Sequence, residues 1–437
     1  MYVIMKNKII NNRLNHIGPN FSLHYNEPIH LVKSKGMYLY DINGKKYLDA
    51  IGNINIVGHC NDHVVESIYK QASILNTNTR YLYNIMEEYS EKLLKYFPKK
   101  LSVIYFVCSG SEANDLALRM ANNFTNGSEY IVIDNAYHGH TDSLINLSPY
   151  KFKSKGGQGR NSNVHILDMP DAVRGKYRFN ENQWINKYIN EGKELIDNVA
   201  FNKKISAFFS ESILGCGGQI ILPPNYLKQI FNKIKSNNGV CVSDEVQTGF
   251  GRIGKNFWAF EEQKVIPDIC TVGKPMGNGH PIAAVITTRE IADSFNNGME
   301  YFNSFGGNPV SLAAGKAVLE VIENNKLQEN AQKIGNYLKI KFNDLKNKFP
   351  DKICDVRGEG LFIGVDLVEK GNPDLPDSKI ANFIINHSKK LGLLLSTDGP
   401  YDNVVKIKPP LIINIDEANY LIECLDKSIN YYINNNI

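Results

Sequence analysis

Val240-Cys-Val-Ser-Asp244-Glu-Val-Gln247-Thr-Gly-Phe-Gly-Arg-Ile-Gly254 and, further on, Ile269-Cys-Thr-Val-Gly-Lys274 are the stretches whose reading decides the fold. Each opens on a short apolar run and ends on a polar or charged residue followed by glycines. Near-continuous Val and Ile runs suit strands covered on both faces, as in a largely parallel sheet with helices on either side. Working outward, similar runs stand at Val103–Val107, Tyr130–Ile133, Ile205–Phe209 and Ala283–Thr287, separated by helical stretches between about 64 and 320. The expectation is an α/β protein with a mostly parallel central sheet.

Before this region the chain reads as β. Met37-Tyr-Leu-Tyr-Asp41 and Tyr47-Leu-Asp-Ala50 flank Asn43-Gly44, a hairpin signal, and the whole of the first sixty or so residues is expected to be strand and turn. After it come long helical stretches over 312–345, then strand patterns at Gly360–Leu367 and Val404–Lys408. With 437 residues, the chain exceeds the roughly 250–300 that one core supports. The expected division is a large unit over 64–318 and a smaller α+β unit built from both chain ends, 1–63 and 319–437.

Composition narrows the class. Hydrophobic residues make up 43% and charged residues 22%, which argues against disorder, collagen and disulfide scaffolds. A net charge of +4 is a weak case for nucleic acid. No apolar run approaches the roughly 18 residues of a membrane span, and Met1–Met5 is too short for a signal-peptide core before Lys6 and Lys8. A cytoplasmic protein with no nucleic-acid or membrane partner is expected. The seven cysteines are an odd number with no CxxC spacing, so zinc and disulfide readings both fail.

The chemistry-bearing residues fall at strand ends, the edge at which open α/β sheets bind ligands. Asp244 ends one strand, either as a helix cap or as an acid awaiting a cationic partner. Lys274 ends another, inside the Pro- and Gly-rich loop Lys274-Pro-Met-Gly-Asn-Gly-His280-Pro. It is either a surface lysine or a nucleophile whose pKa partial burial lowers. Cys108-Ser109-Gly110-Ser111-Glu112 joins a strand to a helix, leaving free N–H groups for a phosphate or a simple serine cap. Asn135-Ala-Tyr137-His138-Gly-His140 offers a ring to lie on an aromatic ligand. As a two-histidine metal site it lacks a third ligand, and no metal is expected. Asn303-Ser304-Phe-Gly-Gly307 is a second phosphate-turn candidate. Gly249-Phe-Gly-Arg-Ile-Gly254 matches GxGxxG, but Asp-Glu-Val-Gln-Thr intervenes after the strand, which rules against a dinucleotide site. An acid, a lysine, two phosphate turns and an aromatic are together what pyridoxal phosphate requires.

On these motifs the chain, over roughly 25–430, resembles the class III pyridoxal-phosphate aminotransferases of fold type I. The resemblance implies that Lys274 holds the cofactor as a Schiff base and moves protons, and that Asp244 pairs with the pyridinium nitrogen. It also implies Gln247 at the ring hydroxyl, Ser109, Gly110 and Ser111 at the phosphate, Tyr137 and His138 at the ring, and Glu211 nearby. It further implies a homodimer with its active site at the interface and Ser304 reaching the partner's cofactor phosphate, and leaves open whether dimers pair into tetramers.

Within that family the chain looks most like the phospho-lyases acting on ethanolamine phosphate or 5-phosphohydroxylysine. The stretches that carry this are Leu75–Leu82, Ser148–Phe152, Gly273–Pro281 and Leu395–Pro400 with Val405–Pro410. Many aminotransferases place a carboxylate-clamping Arg where Lys406 stands, and Lys cannot reproduce that fork. The implied reaction removes a proton from the carbon bearing nitrogen, expels phosphate from the next carbon, and yields an aldehyde and ammonia with no keto acid. Arg80 leads the candidates for the substrate phosphate, with Lys151 and Lys406 beside it. Arg357 is either a carboxylate contact or an anchor. The alternative is an ω-amine or alanine–glyoxylate type transaminase. A catalytically silent cofactor-binding protein is disfavoured because Lys274 and Asp244 are both present.

Overall fold

The computed structural model describes residues 2–435. Met1, at the head of the short apolar opening, and residues 436–437 lie outside the described residues. β1 (Leu31–Lys35), β2 (Tyr38–Asp41) and β3 (Lys46–Asp49) form an antiparallel meander, with Gly44 at φ +80° in the turn. β4 (Val103–Val107), β5 (Glu129–Ile133), β6 (Val164–Leu167) and β7 (Ile205–Glu211) follow. A small ribbon, β8 (Ile213–Leu214) and β9 (Ile220–Ile221), precedes β10 (Val240–Asp244), β11 (Ile269–Val272) and β12 (Ala283–Thr287). The C-terminal part supplies β13 (Ile353–Glu359), β14 (Phe362–Leu367), β15 (Leu393–Leu394), β16 (Ser396–Asp398) and β17 (Val404–Ile407).

Seven strands make the central sheet, in the order β4-β12-β11-β10-β7-β5-β6. β12 runs antiparallel to both neighbours, and the other pairs are parallel. The C-terminal ends of β4, β5, β7, β10 and β11 therefore lie along one edge. The strands β7, β10, β11 and β12 are buried along their whole length, as their apolar runs demand. β13, β14, β17 and β16 form a separate antiparallel sheet. β15 pairs parallel with β3, so the two ends of the chain share a sheet.

One expectation is corrected at the start. Tyr2–His16 is a helix, not strand. The run has no Gly or Pro and carries helix formers such as Lys8, Arg13 and Leu14, and the hairpin's pattern does not extend upstream into it. Among the described residues no helix is long and apolar enough to cross a membrane.

Buried charge ties the sheets together. Asp366 on β14 accepts from Arg174 at 2.6 and 2.8 Å, from Arg357 at 2.7 Å and from Asn403 at 2.7 Å. Burial alone would raise its carboxyl, but the Arg357 and Arg174 charges and their hydrogen bonds outweigh it and hold the group below its ordinary range. Fully buried Arg252, from the loop after β10, donates to the carbonyls of Leu361 and Pro409 and so fastens the C-terminal part to the central sheet.

The folded state thus binds fewer protons at Asp366 than the unfolded chain does. Its contribution is complete above the ordinary carboxylate pKa of about 3.9 and is lost as pH falls below that value. Asp366→Asn, which leaves two arginines without their buried partner, should cost about 3–5 kcal/mol at pH 7. Urea unfolding at pH 7 and pH 3 should show a smaller acid-side loss in the variant than in the wild type.

Candidate active site

Five strand ends converge on one cavity of about 210 Å³, lined by Ser109, Gly110, Ser111, Asn114, Tyr137, His138, Glu211, Asp244, Val246, Gln247 and Lys274 among others. It is framed by loops that touch backbone to backbone. A Cβ on Gly110 would meet Val246 at 2.8 Å, and one on Gly273 would come within 3.4 Å of Gly110 itself. Any side chain at 110 would push the loop after β10 away from the helix start.

Gly110 opens the helix Gly110–Thr125. Ser109 caps it by accepting from the Glu112 N–H at 3.2 Å, and Glu112 accepts in return from the Cys108 N–H at 2.8 Å. Gly110 and Ser111 line the cavity at the start of this helix, the end at which a helix attracts an anion. Ser111 Oγ also accepts from the His140 N–H at 3.2 Å, joining this turn to the loop after β5.

Asp244 stands at the centre, with only 5% of its surface exposed. Its Oδ2 accepts from Asn114 Nδ2 at 2.8 Å and faces His138 Nδ1 at 2.9 Å. Its Oδ1 accepts from the Val246 N–H at 3.1 Å. Asn114 is aligned in turn by Thr271 Oγ1, which donates to its Oδ1 at 2.7 Å. The carboxylate is therefore oriented from β5, β11 and the helix at once, and each oxygen has two lone pairs to offer, so Oδ1 retains accepting capacity. His138 Nε2 is buried without a protein partner among the described residues.

Glu211 is buried at the end of β7, and burial raises its carboxyl above the ordinary range. It accepts from the backbone N–H groups of Tyr137 at 3.1 Å and Gly215 at 3.0 Å. Its structural effect is to fix the Tyr137 loop. The Tyr137 ring meets Tyr150 edge to face at 6.2 Å, and Lys151 Nζ lies 5.9 Å from its centroid. Lys274 follows β11 with a φ of +30°, a left-handed conformation unusual for a residue with a side chain. Such strain concentrates at functional sites.

The remaining sequence candidates lie elsewhere. Arg80 is exposed, donates three hydrogen bonds to Glu300 at 2.9, 3.1 and 3.2 Å, and stacks on Phe302 at 4.1 Å. Ser304 is exposed as well. Arg357 spends its guanidinium on Asp366, on Asp355 at 3.1 Å and on the Gly218 carbonyl at 2.6 Å, the geometry of an anchor rather than of a substrate contact. Lys406 Nζ is 2.9 Å from Asp398. Sequence reasoning named neither Asn114 nor Lys408 as site residues. Asn114 sits one turn inside the helix, and only the folded chain brings it to Asp244. Lys408 shares a strand face with Lys406 by the period of two, a signal that was available. Among the described residues no group of three or more His, Cys, Asp or Glu is arranged to hold a metal ion.

Fold and site together define an α/β enzyme of fold type I. Residues 22–429 match the family model described as aminotransferase class-III. A Drosophila melanogaster protein, alanine--glyoxylate aminotransferase 2-like, is 43% identical over 97% of this chain and 87% of its own length. Ethanolamine-phosphate phospho-lyase homolog 1 of Caenorhabditis elegans is 39% identical over 97% of this chain and 93% of its own. A crystallised Arthrobacter phospholyase in complex with phosphoethanolamine superposes with a TM-score of 0.92 at 35% identity, covering 97% of this chain and 99% of that one. The chain belongs to the class III aminotransferase family, and its cofactor is pyridoxal phosphate. The cavity fits that group: an oriented carboxylate with accepting capacity, a lysine, a capped helix start and an aromatic side chain enclose one space.

Asp244→Asn removes a single electrostatic partner while keeping the shape. Turnover should fall by about 100-fold or more, the scale of losing one preorganised charge contact. The cofactor's visible absorbance should be retained, and steady-state rates alongside spectra check both points.

Proposed function

We propose that this chain is a phospho-lyase that removes phosphate from a phosphorylated primary amine, ethanolamine phosphate or 5-phosphohydroxylysine. The observation that carries the reading is the chemistry of the cavity wall. Among the described residues no arginine lines the cavity, Arg357 is consumed by Asp366 and Asp355, and, by the resemblance, Lys406 stands where many aminotransferases carry the carboxylate-clamping arginine. A site that processes an amine far from any carboxylate has no use for that fork. The similarity to the Arthrobacter phospholyase and to the C. elegans relative supports the same reading. A second reading, transamination to a keto acid, is favoured by the name of the Drosophila relative.

Bound pyridoxal phosphate supplies an electron sink for negative charge on the carbon beside the amine nitrogen. The residues of the chain do the rest. Ser109, Gly110 and Ser111 would hold the cofactor's phosphate, Gln247 its ring hydroxyl and Asp244 its ring nitrogen, with Tyr137 and His138 against the ring, while Glu211 fixes the Tyr137 loop. Lys274, held by its strained backbone at the strand end, carries a proton away from the carbon bearing nitrogen. The carbon–oxygen bond at the next carbon breaks with its electron pair leaving on phosphate. One water then divides the remainder into aldehyde and ammonia, so the atoms balance without a keto acid. Residues 64–318 would hold the cofactor, with 1–63 and 319–437 forming the smaller unit, a division supported by the pairing of β15 with β3.

A homodimer belongs to this reading. Tyr81, Leu82, Met299 and Phe305, which neighbour Arg80 and Ser304 in the sequence, are exposed, and Leu82 is wholly so. Clustered apolar side chains of this kind mark an interface. In the dimer Ser304 would reach the partner's cofactor phosphate.

Purified protein given ethanolamine phosphate or 5-phosphohydroxylysine, without keto acid, should release inorganic phosphate and ammonia in equal amounts. Phosphate-free amino transfer that appears only with pyruvate or glyoxylate would overturn the lyase reading. The double variant Leu82→Asp, Phe305→Asp should run as a monomer in light scattering and lose most activity. A dimer of unchanged mass would remove the proposed interface.

A further inference from the structure

Beside the cavity lies a charged cluster that the cofactor does not use. Asp398, on β16, faces Lys406 Nζ at 2.9 Å and Lys408 Nζ at 3.4 Å. The lysines are two apart along β17 and its exit, so they share one face of the sheet. Gln219 Nε2 donates to Asp398 Oδ2 at 2.8 Å and fixes the carboxylate. Lys408 Nζ also donates to Gln247 Oε1 at 3.3 Å, which joins the cluster to a residue that lines the cavity.

We propose that Lys406 and Lys408, yoked by Asp398, form the subsite that receives the substrate's phosphate. The proposal rests on the phospho-lyase reading and names the residues by which that activity selects its substrate. The first argument is charge. Two ammonium groups against one carboxylate leave a surplus of one positive charge in a region where Lys408 is only 2% exposed. A surplus charge out of water is costly unless an anion meets it. Burial first, and the nearby Lys406 and Lys274 charges after it, bring the Lys408 ammonium down to about 8 even though Asp398 pulls the other way. A phosphate dianion would offset that penalty.

The second argument is donors. Two ammonium groups carry six N–H bonds. Among the described residues their acceptors are Asp398, twice, and Gln247, and the Lys408 ammonium also lies 4.1 Å over the Phe362 ring, which meets part of its charge. Donors remain for a ligand with three acceptor oxygens. The third is identity. A planar carboxylate is read by the arginine fork, whereas lysines meet a phosphate as point charges from several directions. The arginine within reach, Arg357, is tied to Asp366 and cannot compete for the role. Lys406 keeps 21% of its side chain exposed, which places one arm of the cluster toward solvent and the other toward Gln247.

The test uses the cofactor-loaded enzyme and its Lys406→Met and Lys408→Met variants, with inorganic phosphate as the probe in calorimetry and ethanolamine phosphate in kinetics. Each variant should weaken phosphate binding and raise KM by roughly 10- to 100-fold, the scale of one charge-assisted contact, with a smaller change in kcat and full cofactor absorbance. Lys406→Arg should recover most of the phosphate affinity lost in Lys406→Met. Phosphate affinity and KM within twofold of wild type in the methionine variants, in an enzyme that does release phosphate, would overturn the subsite alone. If Lys408→Met does not fold, the partly exposed Lys406→Met decides the matter by the same criteria. Wild-type protein that transfers nitrogen and releases no phosphate would overturn the parent reading, and the subsite with it.

Discussion

The Asp244 carboxylate is withdrawn from water at the end of β10, and a charge so placed has to be met from several directions. Asn114 meets it from the helix, His138 from the loop after β5, and the Val246 N–H from its own loop. Each of those partners exists only because the strands run in parallel and end at one edge. Thr271, beside Asp244 in the β10–β11 register, aligns Asn114. Gly110 keeps the helix start close enough for its N–H groups to share the same cavity. A single oriented charge thus links the direction of the strands, the glycine at the helix start and the position of Lys274.

The chain divides its cations by task. Arg174, Arg357 and Arg252 are spent inside the framework, two on Asp366 and one on backbone carbonyls. Their planar donors suit fixed acceptors that never leave. Lysines gather around the cavity instead: Lys274 lines it, Lys408 reaches Gln247, Lys406 shares Asp398 with Lys408, and Lys151 lies 5.9 Å from the Tyr137 ring centroid. Asp398 resembles Asp244 in being buried and shared, but it restrains positive charge rather than presenting negative charge. Burial would raise it, and the Lys408 and Lys406 charges overcome that and hold it low.

The central sheet was legible in the sequence because its strands are covered on both faces. Val103–Val107, Ile269–Val272 and Ala283–Thr287 are observed at the ends read from the apolar runs. β6 escaped notice because His165 interrupts a short run at the sheet's edge. The helix Tyr2–His16 departs from the expected strand because the hairpin signal at Asn43-Gly44 says nothing about residues so far upstream. Around the cavity, strand-end reasoning brought Asp244, Lys274, Tyr137 and Ser109 into view, the family resemblance added Glu211, and the fold sets them about one space. Spacing is silent on contacts between distant segments. The Arg357–Asp366 pair, the Arg80–Glu300 pair and the reach of Lys408 to Gln247 join residues that only tertiary structure brings together.

The destination of nitrogen and phosphorus from one substrate tests the central claim most directly. Ethanolamine phosphate labelled with ¹⁵N, incubated with the loaded enzyme in the presence of excess pyruvate, can be followed by ¹⁵N and ³¹P magnetic resonance in one tube. The account predicts labelled ammonium and inorganic phosphate, with acetaldehyde as the carbon product and pyruvate untouched. Labelled alanine, with phosphorus still esterified on glycolaldehyde, would contradict it.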